Sequence, residues 1–314
     1  MRTPVAVTGG TGFIGREVIA QLVRDGWPVR ALGRRRSPDL EQAGATVIHG
    51  SLEDEAALQQ LVAGAGAVVH CAGAVRAPTA ETYRLVNELG SARLVAVAAA
   101  AATRPRFLLI SSLAAREPGV STYAESKRLG EDAVRRGADR EVDFCILRPP
   151  AVYGPGDRGA LAIFRQLQRG LLFVPAVANA RFSLLYVTDL AGMIVRLLEG
   201  SRWGGRTLEP HDGRVGGYRW QDLADIAGRH LGRRVRILPV PREVLWPAAA
   251  ISDAAGAVLR SAPRFSRGKL GELFHPDWVC HATPDSPLAS GTPRTTFESG
   301  FAQTMGWYER NRWL

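Results

Sequence analysis

The chain has 314 residues, 46% of them hydrophobic, and a formal net charge of +10 at pH 7. A chain of this length buries roughly three quarters of the surface it exposes when unfolded, so no metal or disulfide staple is required. Its three cysteines, Cys71, Cys145 and Cys280, are odd in number and lack metal spacing, which argues against a disulfide framework or a zinc module and for reduced thiols in a cytoplasmic protein.

From Pro4 to Arg148 short apolar runs alternate with helical patterns, the signature of a parallel sheet covered by helices on both faces. The expected strands are Val5 to Thr8, Val29 to Leu32, Thr46 to His49, Ala67 to Cys71, Phe107 to Ser111 and Phe144 to Arg148. Helices are expected over Gly12 to Asp25, Glu53 to Ala63, about Glu81 to Ala102 and Thr122 to Arg136. The pattern predicts a Rossmann-like, doubly wound α/β domain over residues 1–150, with its ligand at the carboxyl ends of the strands where their order reverses.

After Arg148 the prolines Pro149, Pro150 and Pro155 end the regular alternation. A strand is expected over Phe182 to Val187 and a helix capped by Thr188 through Glu199. Further elements are a helix over Gln221 to Leu231, a strand over Val235 to Leu238 and a last helix from about Thr296 to Arg310. Residues 151–314 read as a smaller α/β substrate lobe, some of whose elements return to the sheet. Val244 to Leu259 reads as a packed helix, with a surface-bound amphipathic role as the lesser alternative, since Asp253 interrupts it and it is too short to span a bilayer. The polar stretch from His281 to Thr295 reads as a surface loop.

No signal peptide is expected before the first strand, and membrane association is not expected. The positive charge raises the question of nucleic acid, with Arg34-Arg35-Arg36 as its best support. The arginines are otherwise dispersed and no nucleic-acid-binding motif accompanies them, so an anionic cofactor accounts better for that cluster.

Gly9, Gly12 and Gly15 follow the first strand and open a helix, the context that makes a glycine triplet a dinucleotide fingerprint. They permit a tight turn, close approach of a pyrophosphate and close helix–strand packing, while free amides at the helix start face the phosphates. Thr11, Phe13 and Ile14 belong to the same cofactor-lining run. The second strand ends Leu32-Gly33-Arg34-Arg35, without the acid that would hydrogen-bond an NAD ribose. Arg34 or Arg35 can grip a 2′-phosphate in a forked contact, which favours NADP over NAD; the alternative is that both are solvated loop charges. Cys71, Ala72 and Gly73 offer small residues where adenosine and ribose pass, and Ser51 and Leu52 can flank the adenine.

Tyr123 and Lys127 stand four residues apart, in a chain whose only other lysine is Lys269. A phenol titrates near pH ~10 in water, and an ammonium one helical turn away can lower that value. Bringing it to about 7 takes ~4 kcal/mol of differential stabilisation, which requires a partly desolvated ammonium close by. Lys127 can also hydrogen-bond the nicotinamide ribose. Ser112, with Ser111 as the alternative, ends the fifth strand and can donate to the oxygen of a reacting carbonyl or alcohol. Asn87 is costly inside a helix and is better explained by a polar role near the lysine. No metal site is expected.

With Val86-Asn87, Gly90-Ser91 and the run from Leu147-Arg148-Pro149-Pro150 to Tyr153-Gly154-Pro155, these motifs make the chain resemble the extended short-chain dehydrogenase/reductase family. That family takes in the NAD-dependent epimerase/dehydratase superfamily and 3β-hydroxysteroid-dehydrogenase-like enzymes, and the resemblance covers nearly the whole chain. It implies Tyr123 as acid/base, Lys127 as its activator and ribose ligand, Ser112 as donor to the substrate oxygen, and hydride transfer at nicotinamide C4. It also implies contact of the carboxamide with the backbone after Arg148, at Pro149, and by analogy a homodimer. Leu113-Ala114 stands where 4,6-dehydratases carry an Asp-Glu pair, which disfavours dehydration.

Three functions compete. The first is an NADP-dependent reductase or dehydrogenase of a bulky, mostly apolar, sterol- or terpenoid-like substrate, for which Phe164, Leu171, Phe173, Val174 and Trp246 offer an apolar lining or simply the lobe's own core. The second is a nucleotide-sugar epimerase with transient hydride transfer, disfavoured by the displaced Arg181 and missing glycines around it. The third is a cofactor-binding sensor without turnover, disfavoured by retention of Tyr123 and Lys127.

Overall fold

In a computed structural model, which describes residues 2–138, 142–200, 202–259, 261–262, 265–281 and 295–314, the first half forms strands on the expected segments. In chain order these are β1 (Val5–Thr8), α1 (Phe13–Arg24), β2 (Val29–Gly33), the short α2 (Pro38–Gln42), β3 (Thr46–His49), α3 (Glu55–Val62), β4 (Ala67–His70) and α4 (Ala80–Arg84). Then follow α5 (Gly90–Ala100), β5 (Arg106–Ile110), α6 (Thr122–Gly137) and β6 (Phe144–Leu147). Every strand pair in this sheet is parallel.

The second half contributes β7 (Ala151–Tyr153), α7 (Leu161–Gln168), β8 (Leu171–Pro175), β9 (Arg181–Phe182), β10 (Leu184–Tyr186), α8 (Val187–Glu199) and β11 (Arg206–Leu208). It ends with α9 (Trp220–Leu231), β12 (Arg236–Val240), α10 (Arg242–Leu259), α11 (Arg267–Leu273), β13 (Asp277–Trp278) and α12 (Phe297–Arg310). The sheet has seven strands in the order β11-β6-β5-β4-β1-β2-β3. Its order reverses between β1 and β4, and that is where a doubly wound sheet opens a crevice at its carboxyl edge.

Alternation along the strands builds two cores. Val5, Val7, Val69, Leu108, Ile110 and Leu147 point to the face covered by α1 and α8, while Ala6, Val68, Phe107, Leu109 and Ile146 point to the face covered by α3, α5 and α6. A third, aromatic-rich core forms in the second half around Phe164, Phe301, Tyr308 and Tyr218.

Four expectations change. The long helix expected over Glu81 to Ala102 is interrupted by a π-helical turn at Leu85–Leu89, because Asn87 turns inward to bond the backbone of Ala74. The single strand expected over Phe182 to Val187 splits at Ser183, with β9 pairing β13 and β10 pairing β7. Ser183 bonds Trp278 and Cys280 between them. Thr188 does not cap α8, which begins at Val187 with Tyr186 at its N-cap and no side-chain cap. Finally, α10 is not packed all round: Val244, Ile251 and Leu259 are 64%, 70% and 72% exposed. The stretch read as a surface loop, from His281 to Thr295, lies almost wholly outside the described residues.

The apolar residues offered as a substrate lining divide. Phe164 and Val174 are buried in the third core, Leu171 is half-buried, and Phe173 and Trp246 are exposed to solvent. Phe173 stands beside Leu238 in the register of β8 and β12.

Candidate active site

The loops after β1 and β4 meet at the reversal point so closely that a Cβ on Gly9 would lie 2.5 Å from the Ala72 nitrogen. Gly9 has φ +70°, the left-handed region that glycine occupies without penalty. A Cβ on Gly15 would meet the Gly9 carbonyl oxygen at 2.2 Å, so α1 reaches this tightly under the loop only with glycine there. Gly12 is the N-cap of α1, with no side-chain cap and no acid in the first turn. Thr11 and Gly12 are exposed, and Phe13 and Ile14 are half-buried in that turn. Uncapped amides, the positive end of a helix dipole and open space form a cradle that fits a pyrophosphate.

Arg34 and Arg35 are exposed just past β2, and neither forms an ion pair among the described residues, while Arg36 leans toward Glu41 at 4.0 Å. Ser51 accepts the Glu53 amide at 3.1 Å. Leu52 packs against Gly90, where an added Cβ would come within 2.7 Å of its side chain. At the end of β4, Cys71 is half-buried, and burial pushes its thiol up to about 12 despite the nearby Lys127 charge. A Cβ on Gly73 would touch both the Asn87 Oδ1 at 3.2 Å and the Lys127 Nζ at 3.5 Å.

Asn87 clamps the loop after β4. Its Nδ2 donates to the Ala74 carbonyl at 3.0 Å and to Ser126 Oγ at 2.8 Å, and its Oδ1 accepts the Ala74 amide at 2.8 Å. No direct bond to Lys127 forms. Instead Lys127 Nζ, almost fully buried, donates to the Ile110 carbonyl at 2.8 Å at the end of β5. Burial lowers its ammonium to about 8, with Glu131 and Cys71 acting the other way.

Ser111 and Ser112 separate clearly. Ser111 Oγ donates to Glu131 at 2.6 Å inside the protein. Ser112 is half-buried, accepts the Ala114 amide at 3.2 Å and has its hydroxyl near enough to the Tyr123 phenol to favour the phenolate. Only Ser112 is therefore in position to face a ligand beside Tyr123. Pro149 is buried, and its carbonyl accepts the Leu113 amide at 2.9 Å, stitching the loops after β5 and β6 together.

Tyr123 does not behave as the spacing to Lys127 suggests. Burial pushes its phenol up to about 12; the nearby Ser112 hydroxyl opposes this, and Glu272 and Tyr83 add to it. Lys127 is not among the groups that move it, because its ammonium is turned to the Ile110 carbonyl. The protein alone thus holds Tyr123 as a neutral phenol, a proton donor rather than a base, at neutral pH.

Three surrounding acids and bases escape a reading of the sequence. Glu131, one turn beyond Lys127, is fully buried and takes Arg148 in a two-pronged contact at 2.8 and 2.7 Å, Arg135 at 3.1 Å and Ser111. Burial pushes its carboxyl up, but hydrogen bonds from Arg148 and Ser111 and the charges of Arg148 and Arg135 win, holding it below the usual range. The spacing of Tyr123, Lys127 and Glu131 along one helix face was its available signal. His70 is neutral, lowered to about 3 by burial and by Lys127, and bridges Thr8 at 2.6 Å and Ser91 at 3.1 Å. Because Ser91 donates to the Asn87 carbonyl at 2.7 Å, it accepts from His70 Nε2, leaving Nδ1 to accept from Thr8. Glu272, on α11, accepts Ser121 Oγ at 2.7 Å, and Ser121 in turn caps α6 through the Ala124 amide at 3.0 Å. Its other oxygen takes Lys269 at 2.8 Å.

Two surface clefts of about 550 and 630 Å³ lie between α1 and α8 and between α3 and α5. Neither is lined by Tyr123. No cluster of potential metal ligands occurs among the described residues.

The sequence profile of the NAD dependent epimerase/dehydratase family matches residues 5–207. Ceramide reductase of Caulobacter vibrioides is 39% identical over 317 residues, covering 100% of this chain and 96% of that protein. The 2-alkyl-3-oxoalkanoate reductase of Stenotrophomonas maltophilia is 30% identical over 206 residues, 60% of this chain and 62% of the relative. Among solved structures, MoeE5 in complex with UDP-glucose and NAD superposes with TM-score 0.72 at 21% identity, over 98% of this chain and 99% of that one. At that identity the likeness shows the fold. The chain belongs to the NAD dependent epimerase/dehydratase family. It is an oxidoreductase of the short-chain dehydrogenase/reductase type that works with a nicotinamide cofactor.

Proposed function

We propose that the protein is an NADPH-dependent reductase of a ketone carried on a bulky, mostly apolar lipid of ceramide type, with Tyr123 as proton donor. The observation that carries the reading is the Ser112 hydroxyl beside the Tyr123 phenol at the sheet edge, next to a glycine cradle suited to a dinucleotide. The full-length kinship to a ceramide reductase supports the lipid class.

Reduced nicotinamide, when bound, supplies the hydride. The chain's own residues do the rest. The uncapped start of α1 would hold the pyrophosphate, and Arg34 or Arg35 would grip a 2′-phosphate where NAD would require an acid. Lys127, on α6 and bonded to the Ile110 carbonyl, would hold the nicotinamide ribose. Ser112 donates to the carbonyl oxygen and polarises it. As negative charge grows on that oxygen, Tyr123 transfers its phenolic proton to it, leaving a secondary alcohol. A phenol held neutral by burial is the form this direction needs.

Incubation with NADPH and ceramide-type ketones, followed by NADPH absorbance and mass spectrometry of the alcohol, tests the reading. Inversion of a nucleotide sugar with no net cofactor consumption, or tight UDP binding without ketone turnover, would defeat it. Replacing Arg34 and Arg35 by alanine removes one or two charge-assisted contacts worth ~1.5–3 kcal/mol each. The KM for NADPH should rise about 10-fold to 100-fold with that for NADH unchanged; equal effects on both cofactors would refute the NADP assignment.

Glu272 supplies a third test. Its carboxylate raises the Tyr123 phenol, so Glu272→Gln lowers the phenol's titration while the amide oxygen still accepts from Ser121. In the alcohol-oxidising direction, activity rises with pH as the phenolate forms, and that limb should move to lower pH. In the reducing direction the falling limb should move the same way. A pH profile unchanged in both directions would show that Glu272 has no electrostatic effect on the tyrosine.

A further inference from the structure

Helix α4 places a second phenol beside the proton donor. The Tyr83 and Tyr123 rings lie 6.2 Å apart between centroids, tilted by 57°, as α4 packs against α6. Tyr83 is half-buried, and its hydroxyl donates to the Val75 carbonyl at 3.4 Å. A good O–H···O bond is about 2.7–2.8 Å long, so the protein engages this donor only weakly. Burial raises the Tyr83 phenol; the Ala77 amide and Arg76 oppose this, and Glu272 adds to it. Glu272 also adds to the burial that raises Tyr123, so both hydroxyl ends feel one carboxylate. A phenol raised above its ordinary value keeps its proton at neutral pH and is available there as a donor.

The frame around Tyr83 is held at several points. The loop from β4 to α4 is fixed at Ala74 by Asn87, anchored by buried Ala77, and closed at Thr79, which caps α4 by accepting the Thr82 amide at 3.1 Å. Between these points Val75 is 69% exposed, an apolar rim beside the residue that takes the Tyr83 hydroxyl. Apolar surface with a few placed polar groups is the usual make-up of a small-molecule site, the polar groups fixing orientation.

We infer that Tyr83 is a specificity-determining residue: its hydroxyl donates to the amide carbonyl of an acylamino group on the carbon next to the reacting ketone. The site would then take acylamino ketones in preference to plain ones, which deepens the lipid-ketone reading and rests on it. With the ketone oxygen at Ser112 and Tyr123, the substituent on the adjacent carbon is carried toward the neighbouring ring. The Tyr83 proton exchanges a long contact for a well-formed one, and a plain ketone leaves it as it stands in the free protein. Tyr83 takes no part in the proton transfer itself, which belongs to Tyr123.

The test compares two ketones of equal chain length in the wild type and in Tyr83→Phe. One carries an acylamino group beside the carbonyl, and the other has methylene groups in its place. The wild type should show the higher kcat/KM on the acylamino ketone. Tyr83→Phe should raise the KM of that ketone about 3- to 12-fold at unchanged kcat, the pattern of a lost binding contact. Its constants for the plain ketone and its dissociation constant for NADPH should stay at their wild-type values. Equal losses on both ketones, or a fall in kcat, would assign Tyr83 to holding Tyr123 in place and overturn the inference. A wild type that reduces both ketones equally well, or a variant indistinguishable from it, would also overturn it while leaving the reductase reading standing. Turnover of neither ketone by the wild type would reject the proposed reaction, and this assignment with it.

Discussion

Tyr123→Phe should lower kcat about 10²- to 10⁴-fold, the usual contribution of a positioned proton donor, while the dissociation constant for NADPH stays at its wild-type value. The substitution removes one oxygen and leaves the ring against Tyr83, 6.2 Å between centroids, so the fold has no reason to change. Pre-steady-state kinetics separate this from a binding defect: slowed hydride transfer with unchanged cofactor affinity is the expected pattern. A variant that keeps most of its kcat would place the proton donor elsewhere and remove the basis of the mechanism.

Glu131→Ala should destabilise the protein by ~3–5 kcal/mol, measured as the loss of unfolding free energy in urea. The carboxylate is fully buried and carries Arg148, Arg135 and Ser111 together. Removing it strands a largely buried guanidinium, which costs more than the pair itself contributes. Glu131→Leu combined with Arg148→Leu should recover much of the loss, since no unpaired charge remains. The exposed Arg229–Glu298 pair is the control, and its removal should stay within about 0.5 kcal/mol. The pH dependence has a definite sign. A carboxyl held below its unfolded range contributes stability that is fully present above about pH 4.3 and disappears as pH falls through the lower folded value. Acid unfolding of Glu131→Ala should therefore be shallower than that of the wild type.

Legibility in the sequence followed the range of the interactions. The six strands of the first half and the fingerprint loop are local patterns, written in consecutive residues, and the sheet forms on them. The seventh strand, Arg206–Leu208, is three residues long and carries no alternation to read; it exists because β6 offers it an edge. The π-helical turn at Asn87 was invisible because propensity sees only a helix, whereas its cause is the Ala74 backbone thirteen residues earlier. Tyr123, Lys127 and Ser112 could be named together because two share a helix face and the third ends a strand, and the structure does bring them to one edge. What spacing could not give was orientation. Lys127 lies one turn from Tyr123, yet its ammonium is committed to Ile110, and Glu272 reaches the start of α6 from about 150 residues away. Composition likewise marked Val244 to Leu259 as apolar, but only coordinates say which side of a helix is covered.

The closure of the sheet by β11 bears on how the chain folds during synthesis. Helix α8 and β11 complete the core that β1, β4, β5 and β6 begin, so that core stays open until Leu208 has left the ribosome, roughly sixty residues after β6. At about 5–20 residues per second this is a delay on the order of 3–12 s, during which β6 presents an unsatisfied backbone edge. Nascent chains stalled in that interval are the ones expected to recruit chaperones, and chains stalled well beyond it are expected to resist protease.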